Sequence, residues 1–161
     1  MGGFDPLNKY KNLIEAKEIV DELKTKNKII VFTNGVFDII HPGHVELLRS
    51  ARSFGDFLIL ALNSDSSVKK IKGNKRPIFC LNERIKILSS IVYVDLIVSF
   101  EEETPYEVIK FLKPDILVKG GDYRVEDVIG REFVREVKIV PYLKGYSTTK
   151  IIERIKNAWF K

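Results

Sequence analysis

The sequence has little of what marks secreted, membrane or thiol-based metal proteins. Its one cysteine, Cys80, cannot form an internal disulfide bond or supply a multi-thiolate metal site. No apolar run approaches the roughly 18 residues that a membrane-spanning helix needs. Residues 1–11 are polar, unlike a signal peptide or an anchor. We therefore expect a cytoplasmic protein with no membrane partner.

Length and charge limit the classes of partner without choosing among them. A chain of 161 residues favours one domain. Lysine and arginine number 27 against 22 aspartates and glutamates, a net charge of +5. A basic surface favours anionic partners, which include phosphorylated metabolites, nucleotides and nucleic acids.

Helical and strand patterns alternate along the chain. Helices are predicted over 10–26, 42–54 and 83–91, from Thr104-Pro105 onward, and from Ser147 to about Phe160. Strands are predicted at 28–33, 57–62, 95–99, 116–118 and 137–140. The polar, basic residues 64–79 are predicted to form a mobile loop, followed by a helix that Asn82 caps.

The alternation predicts an α/β, Rossmann-like three-layer fold with a five-stranded parallel sheet and helices on both faces. Residues 1–27 are expected to form a helical extension packed on a domain of residues 28–161. Ligands of such folds bind beyond the carboxyl ends of the strands, so site residues should follow strands.

The first such place holds the chain's only histidines. His41 and His44 lie three residues apart at a predicted helix start, where free N–H groups and the helix dipole attract anions. Gly43 between them would let a phosphate approach the backbone closely. The alternatives are a merely structural pair, or part of a zinc site completed by a carboxylate or Cys80. Asp38 could be a turn residue or could orient a substrate.

Three further places follow predicted strands or begin helices. Ser147 and Thr148 could hold phosphates, or Ser147 could be a plain helix cap. The basic run 69–76 could cover a phosphate site, or could be a solvated loop or a nucleic-acid patch. The pair Gly120-Gly121 could admit a nucleotide, or could form a simple tight turn.

The pattern G-x-F-D-x-x-H-x-G-H at 35–44 resembles the cytidylyltransferase-like nucleotidyltransferases, whose S-T-T hallmark stands at 147–149. Within that superfamily, residues 33–44, 63–77, 97–105 and 117–123 are similar to the adenylyltransferases that make ADP-heptose for lipopolysaccharide core. Glycerol-phosphate cytidylyltransferases usually carry an arginine shortly before S-T-T, where this chain has Tyr-Leu-Lys-Gly at 142–145.

The resemblance implies transfer of AMP from ATP to D-glycero-β-D-manno-heptose 1-phosphate, with release of pyrophosphate. A cytidylyltransferase for glycerol 3-phosphate or a related polyol phosphate is the alternative, and a non-catalytic nucleotide or nucleic-acid binder is a third hypothesis. We expect Mg²⁺ to be held by the phosphates, with no metal ligand from the protein. A homodimer, no nucleic-acid partner and a separate heptose kinase are also expected.

The expected site residues form three groups. Catalysis is expected from His41, His44 and Lys72. Nucleotide binding is expected from Thr33, Asn34, Gly35, Phe37, Gly43, Lys119, Gly120, Gly121, Ser147, Thr148 and Thr149. Substrate binding is expected from Asp38, Asp65, Lys69, Arg84 and Asp122.

Overall fold

The computed structural model describes residues 6–159, so part of the predicted N-terminal extension (1–5) and Phe160 lie outside the described residues. The strands are β1 Ile30–Gly35, β2 Phe57–Asn63, β3 Leu96–Phe100, β4 Ile116–Gly120 and β5 Glu136–Val140. The helices are α1 Leu13–Thr25, α2 Pro42–Arg52, α3 Asp65–Lys72, α4 Leu81–Ser89, α5 Tyr106–Leu112 and α6 Thr148–Trp159. Short 3-10 helices occur at Pro6–Lys9, Val125–Asp127 and Arg131–Phe133.

The five strands form one parallel sheet in the order β3-β2-β1-β4-β5. The chain runs outward from β1 through β2 to β3 and then returns to the other side of β1 for β4 and β5. The strand order therefore reverses between β1 and β4, where Val31 pairs with Ile116. Open α/β sheets bind their ligands at this switch point, beyond the carboxyl ends of the strands.

Successive strand residues face opposite sides of the sheet, and helices cover both sides. Ile30 and Phe32 join the core cluster that includes Ala16 of α1 and Ile109 of α5. Val31 joins the other cluster, which α2 and α4 complete on the opposite face. The predicted Rossmann-like three-layer fold is confirmed. Within the described part of the chain, no helix combines the length and apolar character needed to cross a bilayer.

The prediction of a mobile loop over 64–79 was wrong for its first half, which forms α3. Ser64 caps this helix by accepting a hydrogen bond from the Ser67 N–H at 3.2 Å. Val68 is fully buried and anchors the helix to the core. A helix of only eight residues with one buried apolar side chain is too short to show helical periodicity in the sequence.

Two predicted helix starts were also displaced. Asn82 lies inside α4 rather than capping it, because Cys80 occupies the cap position and its N–H donates to the Glu83 carboxylate at 2.8 Å. Helix α5 begins at Tyr106, so Pro105 takes the cap position that the sequence assigned to Thr104.

Candidate active site

A cleft of about 530 Å³ lies at the carboxyl ends of β1 and β4, a volume that suits a small-molecule ligand. Helices α2 and α6 both begin at this cleft, and the segment that precedes α4 borders it. Most of the predicted site residues line it, namely Asn34, Gly35, Phe37, Asp38, His41, Gly43, His44, Lys72, Lys119, Gly120, Ser147, Thr148 and Thr149.

The two histidines form a stacked pair at the start of α2. Their ring centroids lie 3.8 Å apart with an angle of 22° between the ring planes, and the Phe37 ring lies 4.8 Å from that of His44. The Nδ1 atoms of both rings are buried and have no hydrogen-bond partner within residues 6–159. Buried polar atoms are normally hydrogen-bonded, so two unpartnered imidazole nitrogens at a helix start mark this pair as a candidate functional site.

Burial keeps both imidazoles neutral near pH 7. Burial, and to a smaller extent the neighbouring His41, lower the pKa of His44 to about 4. Burial also lowers the pKa of His41. A neutral imidazole still carries one N–H, so each ring can donate one hydrogen bond to a phosphate oxygen without a buried positive charge.

The start of α6 is a second place where a helix can bind an anion. Ser147 caps the helix, because its Oγ accepts a hydrogen bond from the Lys150 N–H at 3.2 Å. Ser147, Thr148 and Thr149 all line the cleft that the histidine pair also lines. The free N–H groups of two helices of 11 and 12 residues therefore reach one cavity.

Lys119, at the end of β4, places a cation in the same cleft. Its Nζ donates to the Asn34 side-chain oxygen at 3.2 Å and lies 5.6 Å from the centre of the Tyr123 ring. Burial lowers the pKa of this lysine. No carboxylate within the described residues forms an ion pair with it, so an anionic ligand would supply the missing counter-charge.

Asp38 is buried and organises the chain beside the cleft. Its carboxylate accepts hydrogen bonds from the backbone N–H groups of Ile78 and Phe79, each at 2.8 Å, and from Nε of Arg76 at 2.6 Å. The side chain of Asp38 has no exposed surface. Of the two predicted roles, the structure favours a structural one, in which Asp38 fixes the segment 76–79.

Arg84 is fully buried at the start of α4. Its Nη1 donates to the carbonyl oxygens of Val36 and Asn63 at 2.8 Å each, and its Nε donates to that of Phe79 at 3.1 Å. Its Nη2 pairs with the Asp65 carboxylate at 2.8 Å. Arg84 thus joins three segments around the cleft without facing it.

The cytidylyltransferase-like family matches residues 32–154. The chain belongs to the cytidylyltransferase-like family. The match spans the histidine pair, Gly120 at the end of β4 and the threonines of α6, all of which line the cleft.

Relatives and solved structures agree with this membership. The bifunctional protein HldE of Aliarcobacter butzleri is 53% identical over 147 residues, which are 91% of this chain and 31% of that protein. The bifunctional protein HldE of Campylobacter jejuni subsp. doylei is 47% identical over 154 residues, 96% of this chain and 33% of that protein. The chain thus spans about a third of the length of the curated relatives it matches.

The crystal structure of the lipopolysaccharide core biosynthesis protein from Thermoplasma volcanium matches with a TM-score of 0.60 and 30% identity, covering 74% of this chain and 99% of that one. Pantoate-beta-alanine ligase from Francisella tularensis matches with a TM-score of 0.63, covering 91% of this chain and 76% of that one. At 18% identity, the second likeness concerns the fold alone.

Some of the predicted site residues do not line the cleft, namely Thr33, Asp65, Lys69, Arg84, Gly121 and Asp122. Thr33 is buried and its hydroxyl donates to the Val118 carbonyl at 3.0 Å. At Gly121, φ is +122° and an added Cβ would lie 2.6 Å from the Tyr142 ring. The glycine therefore leaves room for the Tyr142 ring.

The structure also brings to the cleft residues that the sequence did not single out. They are Arg76, Glu103, Tyr123, Tyr142 and Tyr146. Arg76 belongs to the basic run that the sequence marked, but a run of charges does not show which member turns inward. The tyrosines follow β4 and β5. Their position after strand ends was the only feature of the sequence that could have indicated a place in the cleft.

Gly43 gives His41 the room to fold over the start of α2. A Cβ added at Gly43 would lie 3.0 Å from Cε1 and Nδ1 of His41. If His41 is catalytic, as the sequence predicts, we expect Gly43→Ala to displace that ring and to lower turnover roughly tenfold, because small misplacements of a reacting group are costly. Alanine favours helix, so the free energy of unfolding should not fall by more than about 1 kcal/mol. Ser50→Ala on the same helix is the control, and wild-type turnover in Gly43→Ala would contradict this role.

The low pKa of His44 predicts how stability depends on pH. Between about pH 6.5 and pH 4, the unfolded chain binds a proton at this residue that the folded chain does not. The free energy of unfolding should therefore fall as pH decreases through this window, and less so in His44→Gln. Urea unfolding of both proteins from pH 8 to pH 4.5 measures the difference. Parallel pH dependences of the two proteins would show that His44 titrates normally.

Proposed function

We propose that this chain transfers AMP from ATP to D-glycero-β-D-manno-heptose 1-phosphate, giving ADP-heptose and pyrophosphate for lipopolysaccharide core synthesis. The main support is that the histidine pair, Lys119 and the start of α6 line one cleft, where a single triphosphate can reach all of them. The similarity to bifunctional HldE proteins and to a lipopolysaccharide core biosynthesis protein supports the sugar acceptor.

In the proposed reaction, an oxygen of the acceptor phosphate attacks the α-phosphorus of ATP in line. A bond forms between that oxygen and the α-phosphorus, the bond from the α-phosphorus to the oxygen bridging to the β-phosphorus breaks, and pyrophosphate leaves. A phosphate dianion is already a nucleophile, so the reaction needs no serine or cysteine nucleophile. Catalysis then consists of positioning and electrostatic stabilisation.

Different residues of the cleft position the phosphates and stabilise the developing charge. Neutral His41 and His44 donate hydrogen bonds to the oxygens around the α-phosphorus, where charge builds up in the transition state. The hydroxyl and N–H groups at the start of α6 hold the β- and γ-phosphates. Lys119 supplies a fixed positive charge, and Lys72, in the last turn of α3, adds a second at the border of the cleft.

We propose that ATP enters as its Mg²⁺ complex, with the ion held by the phosphates. Within the part of the chain that the structure describes, no cluster of three or more histidine, cysteine or acidic residues could hold a metal ion. We therefore propose that the ion arrives with the nucleotide and is not resident in the protein. When bound, Mg²⁺ would neutralise charge on the leaving pyrophosphate.

Pyrophosphate release tests the reaction directly. Purified protein is incubated with ATP or CTP, each with heptose 1-phosphate or glycerol 3-phosphate, and pyrophosphate is measured. We expect the fastest release from ATP with heptose 1-phosphate. Fastest release from CTP with glycerol 3-phosphate would favour the cytidylyltransferase alternative. No release from any pair, together with salt-sensitive binding of RNA or DNA, would indicate a nucleic-acid binder instead.

Three further properties complete the proposal. We propose a homodimer, for which the exposed side chains of Ile155 and Trp159 on α6 offer apolar surface, and light scattering in solution tests it. We propose that a separate sugar kinase supplies the heptose 1-phosphate. We place the reaction in the cytoplasm, the compartment that a free, exposed Cys80 suits.

A further inference from the structure

The cleft has two walls that differ in charge and in origin. One is the nucleotide wall, formed by the starts of α2 and α6 and the ends of β4 and β5. The other, which we call the β2–β3 wall, follows β2 and β3. It comprises Asn63, Ile71, Lys72, Arg76, Glu103 and Thr104.

Arg76 is held in the β2–β3 wall by one side of its guanidinium group. Its Nε donates to the buried Asp38 carboxylate at 2.6 Å, and 17% of its side chain is exposed. Within residues 6–159, its Nη1 and Nη2 have no hydrogen-bond partner. A guanidinium fixed at Nε leaves two planar donors directed elsewhere, and this arrangement suits a pair of phosphate oxygens.

Hydrogen bonds also fix part of the β2–β3 wall beside Arg76. The Asn63 amide donates to the Ser67 hydroxyl at 2.9 Å, and that hydroxyl donates to the Glu102 carbonyl at 2.6 Å. These bonds join α3 to the loop that carries Glu103 and Thr104. The side chains of Ile71, Lys72 and Glu103 remain exposed.

We propose that Arg76 binds the phosphate of the acceptor, a phosphomonoester, through Nη1 and Nη2; this rests on the proposed function. In-line transfer requires the attacking phosphate to approach the α-phosphorus from the side opposite to the leaving pyrophosphate. The nucleotide wall already holds donors for the triphosphate, so the second phosphate needs donors of its own, and the β2–β3 wall offers the paired Nη groups of Arg76. Glu103 would repel a triphosphate, but its carboxylate can accept hydrogen bonds from sugar hydroxyls. Asp38 acts here as a positioning residue for Arg76.

Equilibrium binding distinguishes binding of the triphosphate from binding of the acceptor phosphate. Calorimetry measures the Kd of a non-hydrolysable ATP analogue, and then the Kd of heptose 1-phosphate in the presence of that analogue. We expect Arg76→Gln to raise the acceptor Kd about tenfold or more, as loss of a charge-assisted pair would, and to change the analogue Kd less than about twofold. The exposed neighbour Lys75→Gln should change neither Kd by more than about twofold.

A second variant distinguishes loss of the phosphate contact from loss of the fold. Arg76→Lys keeps a positive charge beside Asp38 but lacks the paired Nη donors, so it should keep the wild-type circular dichroism spectrum and still raise the acceptor Kd several-fold. An unchanged acceptor Kd in both variants would overturn the inference, as would an equal rise in the analogue Kd, or a wild-type protein that binds the analogue but not heptose 1-phosphate. If both ligands bind as expected and no pyrophosphate forms, the proposed function fails while the role of Arg76 stands.

Discussion

His44→Ala should lower kcat by roughly a hundred- to ten-thousand-fold, and His41→Ala should have an effect of the same order. The two rings stack 3.8 Å apart, and their buried Nδ1 atoms lack partners within the described residues. Each neutral ring carries one N–H, and we expect it to donate to the oxygens around the α-phosphorus, where charge develops. Since donors of this kind act mainly on the transition state, kcat should fall far more than the KM for ATP rises.

Two further measurements distinguish lost chemistry from lost structure. His44→Gln approximately keeps the side-chain volume beside Phe37 and should be almost as slow as His44→Ala. Glu46→Gln, on an exposed face of α2, should turn over at the wild-type rate. The circular dichroism spectrum of each variant should match that of the wild type. Near-normal kcat in both His41→Ala and His44→Ala would remove the histidines from the mechanism.

Arg84→Met should lower the free energy of unfolding by about 3–5 kcal/mol. Methionine fills part of the volume, but it leaves the buried carbonyl oxygen of Asn63 and the partly buried carbonyl oxygens of Val36 and Phe79 without their donor. Each buried acceptor without a partner costs about 1–3 kcal/mol. The Asp65 carboxylate, 39% exposed, can turn to water and should add less.

Urea unfolding of Arg84→Met and of a matched surface variant measures this effect. Arg49→Met breaks an exposed ion pair to Glu46 on α2 and should cost less than about 1 kcal/mol. If Arg84→Met lost no more stability than Arg49→Met, the buried network would not hold the cleft together. Because Arg84 joins the ends of β1 and β2 to α4, loss of stability in this variant should be accompanied by slower turnover.

The layers of the fold could be predicted from the sequence because apolar residues run along the central strands. In β2, Leu58 to Leu62 are buried without a break, as expected of a central parallel strand covered on both faces. The helix starts were less predictable, because caps depend on single residues. Cys80 is a poor cap by residue type, yet the Glu83 carboxylate accepts a hydrogen bond from its N–H. Helix α4 therefore begins at Leu81, two residues before the predicted start.

Residues of the cleft could be predicted where the side-chain type itself indicates a function. Residues whose role depends on contacts with backbone groups could not be assigned that role from the sequence. His41, His44 and Ser147 stand out as residue types at strand-to-helix junctions. Arg84 was predicted to bind substrate, but its partners are mainly carbonyl oxygens of distant segments, which no residue type encodes. Asp38 likewise accepts from two backbone N–H groups, so a turn residue and a buried organiser have the same sequence signature.

A crystal structure with a non-hydrolysable ATP analogue tests most directly whether two helix starts serve one triphosphate. The α-phosphate should lie within hydrogen-bond distance of His41 or His44, and the β- or γ-phosphate within that distance of Ser147 or Thr148. A triphosphate that contacts one helix start and leaves the other in solvent would contradict the proposed arrangement.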